Sequence, residues 1–413
     1  MRKTPYGLRL HIALFGRRNV GKSSILNAMT RQNVSIVSNV AGTTTDPVEK
    51  PMELLPIGPV LFIDTGGIDD LGDLGQQRVD KSRKVFERAD VGLIVGMGDE
   101  WGTFETELLS ELKEREIPTI VVFNKVDLVR PNETLCRELS QKQIPCVYTV
   151  ATNREGILDL REALIKAAPT EIINTPSILG DILPAGELAI LVVPIDLEAP
   201  KGRLILPQVQ TIRDILDNDA YCLMVKDREL PQALNRLKAP PALVITDSQA
   251  FKQVAAAVPK EVPLTSFSIL FARFKGDLSE MVRGALAVEK LKSGDRVLIA
   301  ESCTHHPIGD DIGRVKIPRW LNNRVGGELD FTVVQGRDWP TDLSPFKLVI
   351  HCGACVWNRR QMLSRIIECR KAGVPITNYG VVISYTLGLF HRALAPFPSA
   401  KAIYQKLETN GKE

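Results

Sequence analysis

Two cysteines at a short spacing are the first sign of chemistry in this sequence. Cys352 and Cys355 come just after the apolar run 346–350, and residues 358–371 have the pattern of a helix. A cysteine near a helix N-terminus is favoured as a thiolate, because unpaired backbone N–H groups and the helix dipole both stabilise negative charge. The spacing alone fits either a redox dithiol or part of a metal site.

A third cysteine belongs to the same region. Cys303 follows the predicted strand 295–300, as Cys352 follows the strand 346–350. If both strands lie in one parallel sheet, their carboxyl ends meet at the edge where such sheets bind ligands. Cys303, Cys352 and Cys355 are therefore expected to share one site. Further donors nearby in the sequence are His305, His306, His351 and Asp310.

Three kinds of site compete for these thiols. A thioredoxin-like dithiol would use Cys352 and Cys355 and leave Cys303 unexplained. A structural zinc with three Cys and one His is chemically reasonable, although it normally forms a small closed knuckle. We favour an iron–sulfur cluster held by three thiolates, with a weak or exchangeable ligand on the fourth iron.

A phosphate-binding loop lies near the N-terminus. The segment 16–23 reads GRRNVGKS, a GxxxxGKS motif between an apolar strand at 8–15 and a helix that begins at Ser24. In this context backbone N–H groups close around phosphate oxygens, Lys22 reaches the β- and γ-phosphates, and the Ser23 hydroxyl binds Mg²⁺. The residues expected to bind the nucleotide phosphates here are Gly16, Asn19, Val20, Gly21, Lys22, Ser23 and Ser24.

Two more motifs complete a nucleotide site. The strand at 61–64 ends in DTGG, where Asp64 can hold Mg²⁺ through water and the Gly67 N–H can bind the γ-phosphate. The strand at 119–123 ends in NKVD, residues 124–127. The carboxylate of Asp127 can accept two hydrogen bonds from guanine, and adenine lacks that pair of donors. The predicted nucleotide is therefore GTP, with Asn124, Lys125 and Asp127 around its base.

The elements that position these residues predict an α/β protein. A P-loop domain at 1–168 is followed by two smaller parallel-sheet α/β domains, at 169–265 and 266–413. In the middle domain, the run 188–193 is markedly apolar and is predicted to be an edge strand that could pair across a dimer. In the last domain, strands are predicted at 331–334 and 375–383, and helices at 312–325 and 387–394.

Composition limits the other classes of function. The formal charge of +3 on 413 residues gives no case for nucleic-acid or membrane binding. No apolar run approaches the roughly 20 residues of a membrane span, and the N-terminus lacks the pattern of a signal peptide. Seven cysteines over this length do not form a disulfide framework, so we expect a cytoplasmic protein with reduced thiols.

Residues 8–168 resemble the small GTPases of the Era, MnmE and Der type, on the motifs at 16–23, 64–67 and 124–127. The resemblance implies GTP hydrolysis with Lys22, Thr44, Asp64 and Gly67 as the catalytic residues. It also implies Thr44 on Mg²⁺ together with Ser23, Ala151 near the base, and Asn19 as a K⁺ ligand. Ile68 stands where Ras-like enzymes carry a water-orienting Gln, so hydrolysis should be slow.

The whole chain resembles the maturation GTPase of FeFe-hydrogenase, the HydF family, because this G domain is joined to Cys303-x-His305 and His351-Cys352-x-x-Cys355. The resemblance implies a 4Fe–4S cluster on Cys303, Cys352 and Cys355, with His305 or Asp310 as the fourth ligand.

The same resemblance implies a scaffold role. The protein would carry a di-iron precursor with CO, cyanide and dithiolate ligands, load it from two radical-SAM maturases and deliver it to the apo-hydrogenase. It would do so as a homo-dimer or tetramer. Asp311, Arg314 and Lys316 could line the pocket or form a solvated helix face. The alternative is a zinc-stabilised regulatory GTPase acting in ribosome or tRNA biology.

Overall fold

A computed structural model of the protein describes residues 6–30, 48–54, 57–65, 84–169, 177–194, 204–302, 311–336 and 338–410. The chain forms two compact units, Met1–Thr175 and Pro176–Glu413. Among the described residues, no helix is both long and apolar enough to cross a membrane.

The first unit contains a six-stranded sheet in the order β2-β3-β1-β4-β5-β6, in which β2 is antiparallel to β3 and all other pairs are parallel. Its strands are β1 Leu10–Phe15, β2 Val48–Leu54, β3 Gly58–Asp64, β4 Val91–Gly96, β5 Thr119–Asn124 and β6 Cys146–Thr149. The named helices in the described part of this unit are α1 Lys22–Thr30, α2 Thr103–Glu114, α3 Glu133–Gln141 and α4 Ile157–Ala167.

The central strands of this sheet are buried on both faces. Every residue of β1 and of β4 is buried, as expected for continuous apolar strands in a parallel sheet that carries helices on both sides. One apolar cluster packs beneath α1 and α4, and another packs beneath α2 and α3. This core fixes the carboxyl ends of β1, β3 and β5, where the nucleotide motifs begin.

The second unit begins with a four-stranded parallel sheet in the order β10-β9-β7-β8. Its strands are β7 Leu188–Val192, β8 Tyr221–Val225, β9 Leu243–Thr246 and β10 Leu264–Ser266. Its described helices are α5 Leu206–Asp217, α6 Leu230–Arg236, α7 Phe251–Ala257 and α8 Phe267–Lys275.

The prediction that 188–193 forms an edge strand is wrong. β7 pairs with β8 on one side and β9 on the other, and four of its five residues are buried. Its unbroken apolar run reflects burial on both faces, which is the property of an interior strand. The edge strands are β10 and β8, and on β8 Tyr221 is 63% exposed and Met224 37% exposed.

A second four-stranded parallel sheet follows in the order β12-β11-β13-β14. Its strands are β11 Arg296–Glu301, β12 Asp330–Gln335, β13 Leu348–His351 and β14 Ile376–Asn378. The described helices are α9 Leu278–Leu286, α10 Ile317–Val325, α11 Arg359–Lys371, α12 Tyr379–Thr386, α13 Phe390–Ala393 and α14 Pro398–Asn410. A π-helical turn, Ile312–Lys316, precedes α10.

The strand predicted at 375–383 is too long. The strand ends at Asn378, whose side chain accepts a hydrogen bond from the Val381 N–H over 3.2 Å and so caps α12. The run 381–383 is fully buried in that helix. A short apolar, β-branched run looks the same in a buried helix and in a buried strand, which explains the error. The helix predicted at 387–394 is also shorter, since only Phe390–Ala393 is helical.

Candidate nucleotide and cluster sites

The P-loop follows β1, and two of its glycines are required by their surroundings. Gly16 has φ +139° and Gly21 has φ +97°, conformations that other residues rarely adopt. A Cβ atom on Gly16 would lie 2.1 Å from the Val95 carbonyl oxygen, and one on Gly21 would lie 2.2 Å from Asn124 Nδ2. The loop backbone is therefore pressed against β4 and the end of β5.

The residues predicted to bind magnesium and phosphate converge at the start of α1. Lys22 is buried, and its Nζ donates hydrogen bonds to the carbonyl oxygens of Gly16 at 2.6 Å and Arg17 at 2.7 Å. Ser23 Oγ donates to Asp64 Oδ2 over 2.9 Å. The structure thus brings Ser23 next to Asp64, as a shared Mg²⁺ site requires. Thr44, Gly67 and Ile68 lie outside the described residues.

The base-recognition loop is bonded directly to the P-loop. Asn124 Nδ2 donates to the Val20 carbonyl oxygen over 2.9 Å, and Lys125 Nζ donates to the Asn19 carbonyl oxygen over 2.8 Å. Asn124 Oδ1 accepts from Thr149 Oγ1 at 3.0 Å and from the Ala151 N–H at 3.2 Å. Asn124 therefore joins three of the segments predicted to bind the nucleotide, and Asp127, predicted to read the base, is exposed.

One charged residue near the magnesium site was not singled out from the sequence. Lys50 on β2 has a buried Nζ with no hydrogen-bond partner among the described residues. Burial lowers the pKa of Lys50, and the charge of Asp64 acts against that shift. A positive charge close to Asp64 lies in the field of any Mg²⁺ or phosphate bound there.

The cysteine loop begins at the end of β13. The Cys352 N–H donates to the Ala300 carbonyl oxygen over 2.9 Å, which extends the pairing of β13 with β11 by one residue. Cys352 and Cys355 are both half-buried, and Ala354 between them has φ +49°. The loop is therefore tightly turned and fixed to the sheet at its first cysteine.

Ser302, the residue before the first cysteine of the set, contacts Cys352. Cys303, His305, His306 and Asp310 lie outside the described residues. Ser302 donates from its N–H to Cys352 Sγ over 3.1 Å, and its Oγ lies 3.0 Å from the same sulfur. The chain that enters Cys303 thus passes beside Cys352. Within the described part of the chain, no three His, Cys, Asp or Glu residues form a metal-binding group.

His351 is held inside the protein. It is fully buried, with Nε2 3.0 Å from Arg365 Nη1 and Nδ1 2.9 Å from the Cys352 carbonyl oxygen. Arginine only donates, so Nε2 accepts and Nδ1 carries the proton. Burial and the charge of Arg365 lower the pKa of His351 to about 3. A neutral imidazole with both nitrogens bonded supports the cysteine loop and is not available as a ligand.

Arg365 itself is enclosed by aromatic rings. Its guanidinium carbon lies 4.1 Å from the ring centre of Trp339 and 4.0 Å from that of Trp357. Nη2 donates to the carbonyl oxygens of Gly336 at 3.3 Å and Asp338 at 3.4 Å. The side chain thereby connects α11, the segment after β12 and the cysteine loop.

The residues predicted to line the pocket are partly engaged in other contacts. Arg314 forms an ion pair with the buried Glu301, with Nη2 3.3 Å from Oε2. Glu301 also accepts from Gln335 Nε2 at 3.1 Å and from Tyr379 Oη at 3.4 Å. Asp311 caps the π-helical turn by accepting from the Arg314 N–H over 2.7 Å.

Tyr379 links this polar group to the cysteine loop. Burial raises the pKa of Tyr379, and the charges of Cys352 and Glu301 raise it further. Tyr379, at the start of α12, therefore lies in the electrostatic field of both Cys352 and Glu301.

Family models match three consecutive parts of the chain. Residues 178–276 match the hydrogen maturase F dimerization domain, and residues 279–396 match the hydrogen maturase F tetramerization domain. Residues 11–125 match a GTPase family described as 50S ribosome-binding. The chain belongs to the hydrogen maturase F family. The resemblance to this family stated from the sequence is confirmed, as is the α/β fold with an N-terminal P-loop GTPase domain.

The curated relatives with matching sequence are similar to the GTPase part alone. The tRNA modification GTPase MnmE of Nostoc sp. is 35% identical over 163 residues, which cover 39% of this chain and 35% of that protein. MnmE of Nitrosomonas europaea is 36% identical over 162 residues, which cover 38% of this chain and 35% of that protein. The chain thus spans 35% of the length of these relatives.

Solved structures give similarities of the same kind. Era of Aquifex aeolicus is 26% identical, with a TM-score of 0.34 over 56% of this chain and 69% of that one. The G domain of the T. maritima FeoB iron transporter is 22% identical, with a TM-score of 0.31 over 39% of this chain and 99% of that one.

Two residues around Cys352 were missed from the sequence. Ser302 could have been noticed because its hydroxyl directly precedes a candidate ligand. Arg365 interrupts the buried face of α11, which otherwise consists of Met362, Ile366 and Cys369. A charged residue on a buried face calls for a partner, and the nearest histidine in the sequence is His351.

Proposed function

We propose that this chain is a GTPase that binds a 4Fe–4S cluster through Cys303, Cys352 and Cys355 and serves as a scaffold in hydrogenase maturation. The observation that carries the proposal is the contact of Ser302 with Cys352 Sγ. It places the residue before Cys303 beside Cys352 in a chain of the hydrogen maturase F family. Three thiolates at one sheet edge suit an iron–sulfur cluster.

The nucleotide half of the proposal assigns GTP hydrolysis to the first unit. Lys22 and Gly67 would bind the phosphates, and Ser23, Thr44 and Asp64 would hold Mg²⁺. Gly16, Val20, Gly21 and Ser24 would add loop contacts to the phosphates, and Asn124, Lys125, Asp127 and Ala151 would bind guanine. With Asn19 as its ligand, K⁺ would supply charge beside the transferred phosphoryl group. Hydrolysis would be slow, because Ile68 cannot orient water.

The cluster half of the proposal depends on a replaceable fourth ligand. His305 or Asp310 would take this position, and an oxygen or weak imidazole ligand is readily displaced. The bound cluster would provide an attachment point for a di-iron carbonyl and cyanide unit. Cytoplasmic radical-SAM maturases would supply that unit, and apo-hydrogenase would receive it.

The dimerization and tetramerization domains indicate that the chain forms oligomers. We infer that β8 is the edge at which two copies meet. Tyr221 and Met224 on this strand are exposed, and so is Leu216, at 56%, on the neighbouring helix α5. An exposed apolar edge strand is a template for pairing with a second copy, which would join two sheets into one.

Anaerobic reconstitution with iron and sulfide tests the cluster. We expect about four iron atoms per chain and an EPR signal after reduction. Stoichiometric zinc without a cluster signal would overturn the proposal and favour the zinc-stabilised regulatory GTPase. The Cys352→Ala variant should lose the cluster and hydrogenase activation but keep GTP turnover. Cys136→Ala, in the GTPase unit, is the matched control and should retain both.

A further inference from the structure

Ser302 contacts one cysteine sulfur with two polar groups. Both its backbone N–H and its hydroxyl lie within hydrogen-bond distance of Cys352 Sγ, at 3.1 Å and 3.0 Å. Ser302 is only 4% exposed, so water does not compete freely for these bonds. The contact joins the ends of β11 and β13, which are adjacent strands of one sheet.

The chemistry of the sulfur decides the direction of the hydroxyl bond. A cysteine that ligates iron is a thiolate, which can accept hydrogen bonds but has no proton to donate. The Ser302 hydroxyl must then be the donor, alongside the N–H. Hydrogen bonds to an anionic acceptor are stronger than those between neutral groups, and burial strengthens them further.

The position of the donor is fixed before any cluster binds. The Cys352 N–H is bonded to the Ala300 carbonyl oxygen at 2.9 Å, two residues before Ser302. The Gly336 N–H is bonded to the carbonyl oxygen of Glu301, the residue between them, at 2.8 Å. These bonds hold the backbone of Cys352 and of the two residues before Ser302, so the serine enters the contact from a fixed strand end.

We propose that Ser302 tunes the reduction potential of the cluster through the hydroxyl bond to the Cys352 sulfur; this inference rests on the proposed function. Adding an electron increases the negative charge on the cluster and its sulfur ligands. A donor aimed at one ligand sulfur stabilises the reduced form more than the oxidised form, and hydrogen bonds to the sulfurs are among the factors that set such potentials. Ser302 therefore raises the potential.

An EPR-monitored redox titration of the reconstituted full-length protein tests this role. Ser302→Ala removes the hydroxyl and keeps the N–H bond, so its potential should shift to more negative values. Ser302→Thr keeps the donor and should stay close to the natural protein. Ser384→Ala is the matched control, because its buried hydroxyl donates to the Val381 carbonyl oxygen at 2.9 Å and not to a cysteine. Its potential should not move.

A shape-matched pair guards against a purely structural effect. Ser302→Val and Ser302→Thr have nearly the same volume and differ in the hydroxyl, so the Val variant should have the more negative potential. Equal potentials in both comparisons, at equal iron content, would overturn the inference. Absence of a cluster from the natural protein would instead overturn the proposed function.

Discussion

Arg365 donates a hydrogen bond to His351 Nε2 over 3.0 Å, and His351 Nδ1 in turn donates one to the Cys352 carbonyl oxygen over 2.9 Å. The cysteine loop is thereby fixed to α11 by a buried cation between two indole rings. A loop that must present thiolates at set positions benefits from such support, because the rigidity of metal ligands depends on the groups behind them.

Replacing Arg365 with Met should destabilise the apo-protein by about 3 kcal/mol, because the variant loses two desolvated cation–π contacts and leaves His351 without its donor. Urea unfolding of the full chain measures the difference. Arg370→Met on the same helix is the control. Arg370 is 61% exposed and paired with Glu280, so its loss should cost about 0–1 kcal/mol. Similar losses in both variants would show that Arg365 has no special role.

GTP turnover should be faster in KCl than in NaCl by at least about tenfold, because a correctly sized cation beside the phosphates stabilises developing charge. Asn19→Gly should abolish the difference. Asn19 has φ +66°, a conformation that glycine adopts without strain, so the backbone of the loop is preserved. Choline chloride at equal ionic strength controls for screening. Equal rates in all three salts would exclude the K⁺ site.

Charges on the β8 edge should separate the subunits. The double variant Tyr221→Lys and Met224→Lys should raise the dimer dissociation constant at least about 30-fold, equivalent to about 2 kcal/mol, because two apolar anchors are replaced by like charges. Analytical ultracentrifugation measures the change. Leu158→Lys, at a position 73% exposed in the GTPase unit, should leave the oligomer intact. An unchanged dimer in the double variant would place the interface elsewhere.

The thiol of Cys369 should resist alkylation in the folded protein. Burial, and secondarily the charge of Glu368, raise the pKa of Cys369 to about 12, so the thiol stays protonated at pH 8. Its thiolate fraction there is about 10⁻⁴, against roughly 0.2 for an unperturbed cysteine. Mass spectrometry after iodoacetamide treatment should show labelling at least about 10³-fold slower than in the urea-unfolded chain. Equal rates would mean that α11 separates from the core and exposes the Cys369 thiol.

The parts of this protein that could be predicted from its sequence are those in which local pattern and chemistry coincide. Gly16–Ser23 lies between a strand and a helix, and that order alone predicts where phosphate binds. Likewise, the prediction that the strands before Cys303 and Cys352 belong to one parallel sheet agrees with β11 and β13, which lie in the same sheet.

The remaining features depend on contacts between residues that are distant in the sequence. The apolar run 188–193 does not reveal whether it has a neighbouring strand on one side or on both, and the strand order places β7 inside the sheet and β8 at an edge. The apolar run 381–383 fits a buried strand and a buried helix equally well, and the helix cap formed by Asn378 decides for the helix. The hydrogen-bond partners of Arg365 come from 14 to 29 residues away, beyond the reach of any local pattern.

The bonds of Asn124 to Val20, Thr149 and Ala151 also bear on attempts to re-engineer this GTPase. Changing Asn124 to alter the preferred base would disturb the phosphate loop at the same time, so base specificity and nucleotide affinity would both fall. Asp127 is exposed at the end of the same motif and can be exchanged with less disturbance. The design of a variant that accepts an orthogonal nucleotide should therefore begin at Asp127. Such a variant would allow this GTPase to be supplied with its own nucleotide in a cell extract.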